Sequence, residues 1–417
     1  MNKIRTVFFY SHVIPSSTGS GARMRVFYNI KGYIMMGFRV ELVLLNQNNY
    51  PENRIYEELG KNNFHIFKLD FATLKRVNES KKSFYDEKFL SECILNYLFK
   101  DRRILKTILI ENIKKSKNAI HHFEYIQNAS ASVGLNGNFV WSNHDNVSKR
   151  LLIRGKISKK PKKLIEKVFT FYRYFLVRVA ERIIIKNLSL IITISTIEDN
   201  HYKKYSFAKV KHFPFSIEDS RLRNNKNVIR NKNSKIFKIL HLGSLDAMLP
   251  FQSMINTLDK VFPQIESENL SKIQLLVVGS TSDNFRSKKI LKKAKKFKNI
   301  EILGFIDDLT DIWSQTDLHI IASEFDIGIR TKIIESLCMK VPVVCLKETA
   351  SGIAGLKHLK NIIFAKSSEE IGFYINEIIN GRLNIDHIST NGFLLYDKHY
   401  NFKNNLPIFK KYIQKYL

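Results

Sequence analysis

Twice in this chain a short apolar run leads through a glycine-bearing loop into an amphipathic helix and then a second apolar run. Residues 4–10 (IRTVFFY) open the first instance. The loop Ser11–Ser20 follows, with Pro15 and the glycines Gly19 and Gly21, then a helix from about Ala22 to Met36, Gly37 as its stop, and the run Phe38–Leu45. Strand, glycine loop, helix, strand is the βαβ unit of a doubly wound sheet, which binds ligands at the carboxyl ends of its strands. The second instance starts at Ile236–Ser244 and continues as a helix about Phe251–Phe262, strand Ile273–Gly279, a helix over Lys288–Lys298, strand Ile300–Leu303, a short helix from Asp311 and strand Leu318–Ser323. In the lysine-rich helix only Ile290, Leu291, Ala294 and Phe297 are expected to be buried. Two α/β domains are therefore expected, and 417 residues suit two of roughly 150–200 residues each. The polar, asparagine-rich stretch Ser220–Ser234 reads as the linker zone.

Between the two patterns, residues 51–118 read as helical and mixed, with no legible function. Ala119–Tyr125 is strand-like and carries His121, His122 and Glu124, and Gly137–Ser142 is a second strand with Asn143, His144 and Asp145 at its carboxyl end. The two histidine clusters are expected to face one site if these strands are neighbours. Lys149–Asn187 is strongly basic, with Glu166 and Glu181 its only acids. A basic amphipathic helix can lie on an anionic membrane. Here the aromatic second half, KLIEKVFTFYRYFLVRVAERIIIK (163–186), is expected to be a core helix with its basic residues in water, and the loop Lys156–Lys163 is the better membrane candidate.

Composition is globular, 44% hydrophobic and 25% charged, and the formal net charge is +30. Such a field attracts nucleic acid, anionic membrane or phosphorylated substrates, although Lys, Asn and Ile richness also follows from an AT-rich genome. Signatures of nucleic-acid modules are missing: no zinc-finger spacing, no aromatic RNA-binding strand, no basic zipper. No apolar run approaches the ~20 residues of a membrane span, and the N-terminus turns polar too early for a signal peptide. Cys93, Cys338 and Cys345 form no C-x-x-C pair and read as reduced core residues of a cytosolic protein without a zinc site.

The stretch Ser323–Val344 combines a polar loop containing Gly328, a helix over Lys332–Met339 and a buried strand after Pro342. Arg330 and Lys332 flank the helix N-terminus, whose free N–H groups already favour an anion, and a diphosphate fits two added cations. Glu335, one turn on, is placed to accept hydrogen bonds from a sugar diol.

Assembled, these words resemble a family 4 retaining glycosyltransferase of the GT-B fold. The carriers are HLGSLDAMLP (241–250), LLVVGS (275–280), NIEILGFIDDL (299–309), GIRTKIIESLCMKVPVV (328–344) and SGIAGLKHLKNII (351–363), with a looser match through PSSTGSGARMRVFYNIKGYIMMGFRVELV and WSNHDNVS in the first half. The resemblance implies two Rossmann-like domains facing across a cleft: 1–210 for the acceptor, 211–395 for the nucleotide-sugar donor, and a terminal helix at 396–417 packing back on the first. It implies that Arg330 and Lys332 hold the diphosphate and Glu335 the ribose. Gly304, Phe305 and Ile306 would contact the base, with Gly243 and Gly328 in donor loops. Gly19 and Gly21 would close on the phosphates, and His122 and His144 would stand on the acceptor side. Two departures are visible. Ile327 occupies the position of the family's first glutamate, with Glu324 and Asp326 out of register, and Ser244 and Met248–Pro250 stand where an arginine and a lysine are usual.

The implied activity is metal-independent sugar transfer, with no cofactor, from a nucleotide diphosphate-sugar to a glycan or lipid-linked acceptor, in cytoplasmic polysaccharide or lipopolysaccharide assembly with peripheral contact to anionic membrane. A nucleotide-sugar epimerase of the same architecture is the alternative, since fold alone does not separate them. A nucleic-acid-binding protein is the other alternative, and rests on charge alone.

Overall fold

The computed structural model describes residues 5–45, 52–68, 90–151, 164–207, 209–219, 236–324 and 329–416. Ser220–Ser234, Lys156–Lys163 and Gly328 from the sequence reading lie outside the described residues. The chain divides into two units, Met1–Phe215 with Leu406–Leu417, and Ser216–Asn405.

In the first unit the strands are β1 (Thr6–Ser11), β2 (Arg39–Leu44), β3 (Phe64–Lys68), β4 (Ile120–Glu124), β5 (Asn138–Asn143), β6 (Leu190–Thr193) and β7 (Val210–His212). They form one parallel sheet in the order β3-β2-β1-β4-β5-β6-β7. Strands β4 and β6 are buried along their whole length, as expected of a sheet covered on both faces. The chain winds outward from β1 to β3 and then returns to place β4 on the other side of β1. The winding direction therefore reverses between β1 and β4, which is where such sheets leave a crevice at their carboxyl edge.

The helix Gly21–Met35 crosses from β1 to β2. Its N-cap Ser20 accepts from the Arg23 amide, satisfying one of the orphan donors of the first turn. Gly32 on this helix has no side chain because Phe409 is already there: a Cβ would meet the ring at 3.0 Å. Phe409 belongs to the helix Phe402–Tyr416 and also packs on Tyr33 and Phe213.

The 24-residue helix Leu164–Asn187 departs from the expected core helix. Its second half buries Ala180, Ile184 and Ile185, but Val168, Phe169, Phe171, Tyr172 and Phe175 are exposed. Length explains this. The helix is about 36 Å long, whereas strands of six residues or fewer give the sheet a span of about 20 Å. Cys93 likewise departs from the reading as a core residue, being exposed, while Cys338 and Cys345 are buried.

The second unit has β8 (Phe237–Leu242), β9 (Ile273–Val278), β10 (Ile300–Gly304), β11 (Leu318–Ile321), β12 (Val343–Leu346) and β13 (Ile363–Ala365), again parallel, ordered β10-β9-β8-β11-β12-β13. One face packs Met254, Leu258, Ile290, Ile371 and Ile375, and the other Trp313, Met339 and Val341. In the lysine-rich helix, observed at Phe285–Ala294, Ile290 and Ala294 are buried and Leu291 is half-buried. Winding reverses here between β8 and β11.

At the carboxyl ends of β8 and β9 two loops touch backbone to backbone. A Cβ on Gly279 would lie 2.0 Å from the Gly243 carbonyl oxygen. No side chain is at fault, so rotamer change gives no relief. Gly279→Ala is expected to destabilise the second unit by about 2–4 kcal/mol, read as a lowered urea midpoint in Trp313 fluorescence. An unchanged midpoint would mean that the two loops separate freely.

Candidate functional site

At the reversal point of the second unit, β11 ends at Ile321 and the chain re-enters the described residues at Ile329, two residues before the helix Thr331–Cys338. Arg330 is the residue immediately preceding this helix, half-buried, and Lys332 is its second residue. The Lys332 Nζ donates to Glu335 Oε2 at 2.9 Å, an i,i+3 pair on one helical face. Glu335 is buried, and its other oxygen, Oε1, has no hydrogen-bond partner. Burial pushes its carboxyl up, opposed by the Lys332 ammonium and Thr331. A buried acceptor without a hydrogen-bond partner, beside the Lys332 cation, is an arrangement that a ligand bearing both hydroxyl donors and negative charge completes.

Two imidazoles inside this sheet stay neutral, His319 on the face under this helix and His241 on the opposite face. His319 on β11 has Nδ1 2.7 Å from Ser336 Oγ, and burial, with His241 and Lys332 nearby, pulls its pKa to about 3. Burial takes His241 on β8 to about 4.

A serine pair joins the loops after β8 and β9. Ser280 Oγ donates to Ser244 Oγ at 2.7 Å, and a Cβ on Gly243 would meet Pro250 at 2.7 Å. Next to it the Asp246 carboxylate accepts from Ser287, Ser282 and Asn284 at 2.6, 2.9 and 2.5 Å. Those bonds, Ser287 foremost, hold its pKa low. Gly304 takes a positive φ of 73° at the end of β10, and Phe305 beyond it is exposed, with Ile306 half-buried. Glu324 pairs with Lys260 at 3.2 Å and accepts from Asn256 at 3.3 Å. Asp326, Ile327 and Gly328 lie outside the described residues.

At the reversal point of the first unit, Gly19 (φ 93°) sits in the loop after β1 and Gly21 is the first helical residue. The end of β4 carries a connected polar group. Glu124 is fully buried; its Oε1 accepts from Asn29 Nδ2 at 2.7 Å, and its Oε2 from His144 Nε2. His122 bridges below, with Nε2 2.9 Å from Ser142 Oγ and Nδ1 2.9 Å from Tyr33 Oη. Burial works to raise the Glu124 carboxyl, but the His144 charge and the hydrogen bonds from His122 and His144 overcome it and hold the pKa well below the usual carboxylate range. Burial drives His122 the other way, toward its neutral form.

The two histidine clusters therefore meet only in part. His122 and His144 share Glu124, whereas His121, adjacent along the strand, points to the opposite face and lies 3.1 Å from the Tyr10 hydroxyl. His122 is fully buried and supports the group from beneath. His144 is its half-buried member, stacked on Tyr125 at 4.1 Å. Tyr125 stands in the left-handed region (φ 68°) and also packs on His12 at the end of β1. His12, Tyr125 and His144 thus gather at the carboxyl ends of β1, β4 and β5.

Sequence reading missed Asn29 and Tyr33, whose i,i+4 spacing interrupts the apolar stripe of their helix with two polar groups. It also missed Arg25, buried with Nη1 3.3 Å from the Phe213 and Pro214 carbonyls and Nε and Nη2 unpartnered; burial lowers its pKa to about 10. Glu198, on the helix Thr196–Lys203, has an unpartnered Oε2 and is pushed by burial to about 7, with Asp145 reinforcing the shift.

Residues 236–380 match the family model described as glycosyl transferases group 1. No curated protein matches the chain by sequence. Solved structures match over nearly its whole length. Anabaena HepE, in complex with UDP and glucose, is 14% identical with TM-score 0.67, covering 99% of this chain and 100% of its own. Sucrose-phosphate synthase from Thermosynechococcus elongatus is 13% identical with TM-score 0.69, covering 99% and 98%. This is the GT-B fold. A third GT-B neighbour, S. aureus TarM in complex with fondaparinux, alpha-GlcNAc-glycerol and UDP, is 10% identical with TM-score 0.65, covering 98% and 99%.

Glu124 and Glu198 titrate in opposite senses. Glu124 lies below its unfolded pKa when folded, so its stabilising charge is present above the ordinary carboxylate range and is lost as pH falls below about 5. Glu198 lies above its unfolded value, so its contribution is full below about pH 4.5 and is lost as pH rises through about 7. Glu124→Gln is expected to cost about 2–4 kcal/mol at neutral pH and flatten the acid limb. Glu198→Gln is expected to stabilise by about 1–3 kcal/mol at pH 8. Urea unfolding followed through Trp141 in a Trp313→Phe background, from pH 4 to 8, reads both. Parallel pH profiles for the two variants would refute the assignments.

Proposed function

We propose that this chain is a retaining glycosyltransferase that moves a sugar from a nucleoside diphosphate-sugar to a glycan or lipid-linked saccharide, in bacterial surface polysaccharide assembly at the cytoplasmic membrane. The observation that carries the reading is the placement of Arg330 and Lys332 at the N-terminus of the helix Thr331–Cys338, beside the β8/β11 reversal. The family match over 236–380 supports transfer chemistry for that unit. UDP in the HepE and TarM complexes supports a nucleotide donor, and the saccharides named in the TarM complex support a sugar acceptor.

In the proposed reaction the bond from the anomeric carbon to the diphosphate oxygen breaks, and negative charge collects on the departing nucleoside diphosphate. Arg330, Lys332 and the positive end of the helix dipole present fixed positive potential to that charge, a role that requires no metal ion. The acceptor hydroxyl oxygen forms the new bond on the same face, and its proton passes to the departing phosphate oxygen, which preserves configuration without a carboxylate nucleophile. Glu335 Oε1 takes a ribose hydroxyl, and the loop Gly304–Ile306 the base. On the acceptor side, His144 is the group offered to a sugar hydroxyl. Glu124 orients it, and His122, Asn29 and Ser142 hold Glu124.

Thermal unfolding with UDP, GDP, ADP and CMP at millimolar concentration tests this first. A diphosphate present at about 100 times its dissociation constant stabilises by roughly 2.7 kcal/mol, a shift of several degrees. Lys332→Ala is expected to keep the fold, lose the shift and lower turnover by about 10²–10³-fold. EDTA is expected to leave turnover unchanged, and NMR of the product to show the donor's anomeric configuration. Full turnover by Lys332→Ala, or no shift with any diphosphate, would refute the assignment.

A further inference from the structure

The first half of the helix Leu164–Asn187 takes no part in this chemistry, yet Val168, Phe169, Phe171, Tyr172 and Phe175 are between 53% and 67% exposed. Surfaces left in water rarely gather so many large apolar side chains. Positions 168, 171, 172 and 175 follow the i, i+3, i+4, i+7 spacing of a single stripe. The stripe continues through Tyr174, whose ring lies 6.3 Å from Phe171. From there Arg178 spans to Tyr205, its guanidinium 5.9 Å above the Tyr174 ring and 5.5 Å above that of Tyr205. Arg182 also covers Tyr205, at 5.4 Å. Two residues on, Phe207 is 73% exposed, with Lys203 5.7 Å above it.

Charge on this surface is one-sided. Residues 168–180 contain arginine at 173 and 178 and no Asp or Glu. Along the helix the acids on either side are Glu166, next to Lys167 in the sequence, and Glu181, which is buried; Asp199 is nearly so while paired with Lys203. Among the described residues no helix is long and apolar enough to cross a membrane.

We propose that this aromatic and arginine stripe docks the protein on an anionic lipid bilayer, with the rings at the boundary of headgroups and acyl chains and the arginines on lipid phosphates. Aromatic rings flanked by cations suit that boundary, where one side is apolar and the other wet and negative. Charge complementarity selects the bilayer over a second copy of the chain, which would set arginine against arginine with no carboxylate in the stripe to relieve it. The proposal deepens the proposed function, on which it rests for the reason a transferase would approach a bilayer. It moves the membrane contact from the sequence-favoured loop Lys156–Lys163 to the adjoining helix.

The test is flotation of the full chain with vesicles of phosphatidylcholine alone or containing about 30% phosphatidylglycerol, at about 100 mM salt, where surface attraction still reaches roughly 10 Å. Binding is expected to the anionic vesicles only, and to be at least roughly tenfold weaker in the double variant Phe171→Ser, Phe175→Ser. In Phe171→Trp the indole emission is expected to shift to the blue and escape iodide quenching when anionic vesicles are added. The diphosphate thermal shift is expected to persist in the double variant, so a failed donor assignment and a failed membrane surface would show separately. Three results would overturn the proposal: no flotation with anionic vesicles, equal flotation of the double variant, or vesicle-free self-association that the double variant abolishes.

Discussion

A parallel sheet that grows in both directions from its first strand changes winding direction once, and there its helical cover parts at the carboxyl edge. Both units obey this constraint, between β1 and β4 and between β8 and β11. The residues with chemical potential collect at those two reversals. Glu124, Tyr125 and His12 occupy the first, and Gly243, Arg330 and Lys332 the second. Strand burial, the glycine contact between the β8 and β9 loops and the buried His319 under the helix Thr331–Cys338 all bear on where those edges lie.

The buried carboxyls are of two kinds, and the difference is instructive. Glu124 is saturated: both oxygens accept hydrogen bonds, and the cost of removing a charge from water is offset by the donors around it. Glu335 and Glu198 each keep a buried oxygen without a partner. A saturated group fixes geometry, while an unsaturated one carries a standing penalty of about 1–3 kcal/mol that protonation or a ligand can relieve. The first unit is thus rigid where it holds His144 and under tension one loop away.

Much of the fold was legible because parallel strands buried on both faces leave an unmistakable record, as in TVFFYS or IQLLVV. The Arg330–Lys332–Glu335 spacing was legible for a similar reason, since a helix end fixes its own geometry. Partners drawn from different strands were not. Nothing local in IHHFE says that His122 will meet Ser142 on β5 while its neighbour His121 meets Tyr10 on β1, although strand alternation forbids the pair from sharing a face. The aromatic half of the helix Leu164–Asn187 misled for another reason. Phe and Tyr in a helix read as core, and only the mismatch between a long helix and short strands leaves them in water.

The Lys332–Glu335 ion pair has a consequence for selectivity. Without a ligand, the lysine already has an internal counter-ion, and a simple anion that draws it away strands a buried carboxylate. Inorganic phosphate or chloride must therefore compete against a carboxylate held one turn along the same helix. Only a molecule carrying negative charge for the lysine together with hydroxyl donors for the glutamate compensates both sides of the exchange. The pair thus discriminates among anions before any contact with base or sugar is made.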